Sequence, residues 1–208
     1  MKRFPRYAGL VAGVVLAAAF TAEALAQPKA PPVRVRGEIV SVQGNVLQVK
    51  DRAGKAETVV LADKAPVRAL TRVTIDAIRK GSYLGITSMP QKDGSLVAVE
   101  VQIFPEAMRG TGEGTRPWDL HPGSLMTNAA VEATVADVKG RVLTMKHKGE
   151  EKKIVVPPQA PIVSMGPGDR SLLKKGNHIF IVAATRGPDG RLNAQNITVG
   201  KDGLVPPM

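Results

Sequence analysis

The chain has 208 residues, with 29 Lys plus Arg against 18 Asp plus Glu, a formal net charge of +11 and no cysteine. Without a thiol, a disulfide framework and a lipid-anchored N-terminus are both excluded, and packing alone must hold the fold. The positive excess favours anionic partners or serves solubility; it does not by itself define a site.

Residues 1–26 are predicted to be an export signal. MKRFPR is a basic start, an apolar run extends from Ala8 to Phe20, and Ala24-Leu25-Ala26 has the small-residue pattern of a cleavage site. The apolar run is short of the roughly 20 residues that span a bilayer, and no later segment is apolar enough to do so. The exported part, expected in the periplasm, keeps 26 basic and 17 acidic residues, a net charge of +9.

After a linker at 27–35 the sequence is written twice. "RGEIVSVQGNVLQVKDRAGKAETVVLA" (36–62) matches "VEATVADVKGRVLTMKHKGEEKKIVVP" (131–157), "IDAIRKGSYLGI" (75–86) matches "RSLLKKGNHIFI" (170–181), and "DGSLVAVEVQI" (93–103) matches "DGRLNAQNITV" (189–199). In each unit, alternating apolar residues predict two strands joined at Gly44 or Gly140 and a third after Gly54 or Gly149. Two further strands meet at Asp93-Gly94 or Asp189-Gly190, a hairpin signal. Between the third and fourth strands a short helix is predicted, capped by Thr74 or Asp169 and ended by Gly81 or Gly176 after Arg79-Lys80 or Lys174-Lys175.

The order β-β-β-α-β-β with short strands is that of a five-stranded OB-like barrel. The fold class is therefore mainly β, with two tandem barrels at 36–106 and 131–201, an ordered coil insert at 107–130 and a tail at 202–208. Inward positions are predicted at Ile39, Val46 or Leu47, Val59, Leu61, Ile78, Leu84, Ile86, Val99 and Val101 in the first. In the second they are Val135, Leu143, Val155, Leu173, Ile179, Ile181 and Ile197.

The insert contains "RGTGEGTRPWDLHPGSLMTN", with the only tryptophan of the chain, Trp118. Pro117 and Pro122 restrict the backbone, and a bare linker has no need of an indole. Either Trp118 is buried between the barrels as a strut, which is the favoured reading, or it stands with Arg109 and Arg116 on a partner surface.

Charge divides unequally: residues 36–106 hold ten basic and eight acidic residues, and 131–201 hold twelve and six. An anionic partner is therefore assigned to Lys146, Lys148, Lys152, Lys153, Lys174 and Lys175 of the second unit. Nucleic acid is disfavoured, because Tyr83, Phe104, Trp118 and Phe180 are the only aromatics after the signal and too few for a stacking platform. A copper or zinc site is the alternative, with Asp119 and His121 two residues apart and Met126 as a soft ligand, although no paired-histidine spacing supports it. "GTGEG" lacks the Lys-Ser/Thr sequel of a phosphate loop, and no nucleophile elbow or metalloprotease helix occurs, so no catalytic residue and no cofactor are assigned.

The tandem "GEIVSVQGNVLQVK" and "VEATVADVKGRVLTMK" units, the "FPEAMRGTGEGTRPWDLHPGSLMTNA" between them and the closing "TVGKDGLVPPM" resemble a family of uncharacterised exported Gram-negative proteins with OB-like domains. Some members carry a metal-transporter permease label, from which this chain departs in having no membrane spans. The resemblance implies location and fold and brings no catalytic residue. The resulting expectation is a non-enzymatic periplasmic protein that binds or scaffolds an envelope partner with an anionic face.

Overall fold

Glycine turns and alternating apolar residues set the local structure. At the two Asp-Gly hairpins, Gly94 and Gly190 take φ of +81° and +78°. There the Asp93 and Asp189 side chains accept the backbone N–H groups of Ser95 and Arg191 at 3.0 and 3.1 Å. The computed structural model describes residues 31–137 and 140–208. The predicted export signal and the start of the 27–35 linker lie outside the described residues.

The chain is mainly β. β1 (Val33–Gln43), β2 (Val46–Asp51) and β3 (Ala56–Leu61) form an antiparallel meander, followed by β4 (Val67–Arg72), β5 (Tyr83–Pro90) and β6 (Leu96–Ile103). The insert carries β7 (Gly114–Pro117). A second meander, β8 (Leu125–Asp137), β9 (Gly140–His147) and β10 (Glu150–Val156), precedes β11 (Ile162–Pro167), β12 (His178–Arg186), β13 (Leu192–Ala194) and β14 (Ile197–Gly200). Each predicted helix is a single 3-10 turn, Ile75–Ala77 or Arg170–Leu172. Asp169 caps its turn by accepting the Ser171 N–H at 2.8 Å, whereas Thr74 makes no side-chain cap bond.

The pairing departs from two units each closed on itself. β5, β6, β10, β9 and β8 close a five-stranded barrel, in which β8 returns to β5. This central barrel joins the last two strands of the first unit to the first three of the second. The complementary ring β1-β2-β3-β13-β12, with β12 returning to β1, joins the two ends of the chain into a terminal barrel. In each ring one contact is parallel, β10 with β6 or β3 with β13.

β4 and β11 carry the chain across. They pair antiparallel with each other, from Arg72 opposite Val163 to Arg68 opposite Pro167, and parallel to β14 and β6 respectively. The exchange has a local cause: a six-residue strand advances about 20 Å, and one 3-10 turn is too short to bring the chain back over its own meander. Burial follows the exchange, for Ile39, Leu47, Val59 and Leu61 share a core with Leu173, Ile179, Ile181 and Ile197. Ile78, Leu84, Ile86 and Val101 share another with Leu143 and Ile154.

Two inward predictions are corrected. Val155 is half-buried and Ile154 and Val156 take the core, because the β9–β10 turn is one residue shorter than its counterpart and a one-residue slip reverses the faces. Val99 is skipped by the bulge that moves the register from Thr87–Glu100 to Ser88–Ala98. Val131 stands opposite Met145 as Ile39 stands opposite Val49, so Val131 is the core counterpart of Ile39; the Val135 side chain lies outside the described residues.

Candidate functional site

Between the barrels lies a third apolar cluster of Leu70, Trp118, Met126, Val163, Met165, Phe180, Leu204 and Met208. The insert builds one wall of this seam. β7 pairs with the start of β8, so 107–130 is partly strand and not coil throughout. Pro117 ends β7, and Trp118 then begins a tight loop in which its N–H reaches the Ser124 carbonyl at 2.8 Å. The buried Ser124 hydroxyl lies 3.0 and 2.8 Å from the carbonyls of Trp118 and His121, which compete for its one proton. This closure fixes the indole, which is 8% exposed, in accord with the strut reading.

Three guanidinium groups surround that indole. Arg34 lies 4.1 Å from the ring centroid, Arg116 5.6 Å and Arg36 5.9 Å, distances at which cation–π attraction operates. Arg34 and Arg36 come from β1 of the terminal barrel and Arg116 from β7, so the indole ties one barrel to the other. Asp119 is the counter-charge, 2.7 Å from Arg36 and 3.4 Å from Arg34. Burial alone would raise the Asp119 pKa, but the hydrogen bond from Arg36 and the two cationic charges outweigh it and hold the carboxyl below its ordinary value. Arg116 donates to the Gly112 carbonyl and forms no ion pair among the described residues. Its pKa is lowered by burial and by Arg34.

Beside the indole the seam opens into a cavity of about 230 Å³ whose inner surface is mostly apolar, with Met108, Met126, Met165 and Phe180 among its residues and Arg68, Arg116 and Asn128 among its polar side chains. A difference between the two units helps to make it. Gly85 and Phe180 occupy equivalent positions and both line the space; a Cβ at Gly85 would sit 2.9 Å from the Phe104 ring and 3.0 Å from Asn128 Oδ1.

No family model, curated protein or solved structure matches this chain.

The predicted lysines are carried by elements of both barrels. Lys146, Lys148, Lys152 and Lys153 lie on the central barrel, and Lys174 and Lys175 on the loop leading into the terminal barrel, so strand exchange divides the set. It also redistributes charge. Residues 33–66 and 168–208, the terminal barrel and its tail, hold 12 basic and 7 acidic residues, while residues 75–161 hold 11 and 10. Arg109 is engaged by Glu106 at 2.5 Å and by the Gly81 carbonyl at 2.8 Å, with Tyr83 beneath it.

The alternative metal ligands stand in different surroundings. Asp119 is ion-paired, His121 is exposed, and Met126 is buried in the seam; among the described residues no group of three His, Asp or Glu is placed to hold a metal. Residues that the sequence analysis passed over are Arg34, Arg36, Asn128, Met108, Met165 and Met208. The alternation in "VRVRG" puts Arg34 and Arg36 on one face of a strand, a signal obscured by ending the linker at residue 35. Nothing local to the methionines announces that they meet.

Proposed function

We propose that this is a non-enzymatic periplasmic binding protein whose anionic partner is held at the seam between the barrels. The observation that carries the reading is the set of three guanidinium groups around Trp118, of which Arg34 and Arg36 pair with Asp119, Arg36 also donates to the Met208 oxygen at 2.7 Å, and Arg116 has no ion pair among the described residues. Like charges are brought together here at an energetic cost, which an incoming anion relieves. Arginine beside a fixed tryptophan is also a hot-spot composition in protein interfaces. The ring order and single parallel contact of each barrel support an OB-like reading, in the form of two barrels assembled by strand exchange. Localisation rests on the basic and apolar character of residues 1–26.

Retention on a heparin matrix tests the reading. Arg34→Gln is expected to elute at lower salt than the wild type, and by more than Lys148→Gln, because Arg34 belongs to the convergent set. Equal shifts for the two variants would show that retention reports net charge only and would remove the seam as the anion site.

A further inference from the structure

The seam cavity has three features that an anion-binding surface alone does not require. Its volume, about 230 Å³, far exceeds the ~10–15 Å³ needed by one water. Its walls are thioether and aromatic: methionine is flexible and polarizable and adapts to an apolar guest of variable shape. Two polar atoms of its lining residues, Trp118 Nε1 and Asn128 Oδ1, are buried without a hydrogen-bond partner. Asn128 is oriented by donating from Nδ2 to the Thr111 carbonyl at 2.9 Å, which leaves Oδ1 as an unused acceptor. Buried polar groups are nearly always paired; the unpaired Trp118 N–H is a donor that an anionic head group can use, whereas the Asn128 acceptor, like a carboxylate, needs a donor.

Charge completes the description. Arg116 and Arg68 are half-buried members of the lining, and neither forms an ion pair among the described residues. An apolar guest without charge would leave both cations uncompensated in a low-dielectric site, and a polyanion has no place among the methionines. We propose that the cavity binds a single amphipathic carboxylate, its acyl chain among Met108, Met126 and Met165 and its head group at Arg116. This rests on the anion-binding reading of the seam and adds the chemical class of the ligand. A guanidinium meets a carboxylate through two parallel hydrogen bonds, which fixes the head group, while the chain is selected by length and not by pattern.

Trp118 is the only tryptophan, so its emission reports directly on this cavity. Decanoate, decanol and butyrate are titrated into the protein, with calorimetry as the second readout. Saturable binding of decanoate is expected, at least tenfold weaker for decanol and at least a hundredfold weaker for butyrate. Arg116→Met, which keeps the apolar bulk, is expected to reduce decanoate affinity at least tenfold and leave decanol unchanged. Absence of decanoate binding, or decanoate affinity unchanged in Arg116→Met, overturns the assignment. If decanoate fails while heparin retention still depends on Arg34, the ligand class falls and the anion site stands; if both fail, the seam is a structural joint.

Discussion

The two barrels share a strand plan and differ where they face each other. On the terminal barrel, Phe180 projects into the seam and Arg36 lies over it, 5.0 Å from its centroid. On the central barrel the equivalent position is Gly85, beside Phe104. Phe104 in turn corresponds to Gly200, where a Cβ would collide with the Leu204 carbonyl. Each unit thus carries one phenylalanine and one glycine at these two positions, in exchanged order. Duplication supplies the frame, and these few unlike positions make a cavity in place of a symmetric, closed joint.

The buried carboxylates differ in the same way. Glu57 of the terminal barrel accepts two hydrogen bonds from Arg186, both 3.1 Å, and a third from Lys55 at 2.5 Å. The Arg186 hydrogen bonds are the largest influence and hold its pKa low against burial. Glu100 of the central barrel is 1% exposed and accepts from Thr87 Oγ1 at 2.6 Å, while Oε2 has no partner. Burial pushes its pKa up to about 7. One barrel stabilises a charged carboxylate through Arg186 from a distant part of the chain and the neighbouring Lys55; the other keeps its carboxylate largely protonated below neutral pH.

The seam offers the largest test. Trp118→Ala removes the indole shared by both barrels and is expected to cost ~3–5 kcal/mol, read by urea unfolding followed by circular dichroism. Two separate transitions in the variant, where the wild type has one, would show that the β4–β11 pairing does not couple the barrels without the strut.

The carboxylates should then respond to pH in opposite directions. With its folded pKa raised, Glu100 retains its proton between about pH 4.5 and 7 while the unfolded chain has lost it, so its contribution to stability falls as pH rises through that window. The decline is on the order of 2–3 kcal/mol and is expected to disappear in Glu100→Gln, measured as the urea midpoint at pH 5 and pH 8. Glu57 has a lowered pKa, so its contribution is present above its unfolded value and lost as pH falls; Glu57→Gln is expected to cost about 1 kcal/mol at pH 7 and less in acid.

Making the barrels alike at one position sharpens the comparison further. Gly85→Phe fills the cavity from the central side at a cost of about 2 kcal/mol, since Phe104 and Asn128 must shift, and abolishes decanoate binding. The smallest effect belongs to the exposed lysines: Lys148→Glu and Lys153→Glu are each expected to change stability by less than about 0.5 kcal/mol in the same urea assay.

Much of the fold was legible locally. Alternation located the strands, Asp-Gly pairs located the hairpins, and Pro117 with the Ser124 turn explains why a coil-like insert holds an ordered indole. The errors at Val99 and Val155 came from a bulge and a shortened turn, each a one-residue event that leaves hydrophobic composition unchanged while altering register. Of the candidate site, Trp118 and Arg116 stand out by residue type. Phe180 is marked only as one of four aromatics, and Asn128, Met165 and Met208 have no local signature, since they come from segments far apart in the chain.

By itself the sequence determined the duplication, the β content and the turn positions, because these depend on side-chain period and on backbone freedom within a few residues. Which unit supplies which strand to a barrel was decided only by the tertiary structure. Both units offer three-stranded meanders and two-stranded partners with the same hydrogen-bonding edges and apolar faces, so closure within a unit and exchange between units satisfy the same pattern. The extended path of β4 and β11 selects exchange. That choice brings Arg34 and Arg36 from one end of the chain to Trp118 in its middle, and with them the seam and its cavity.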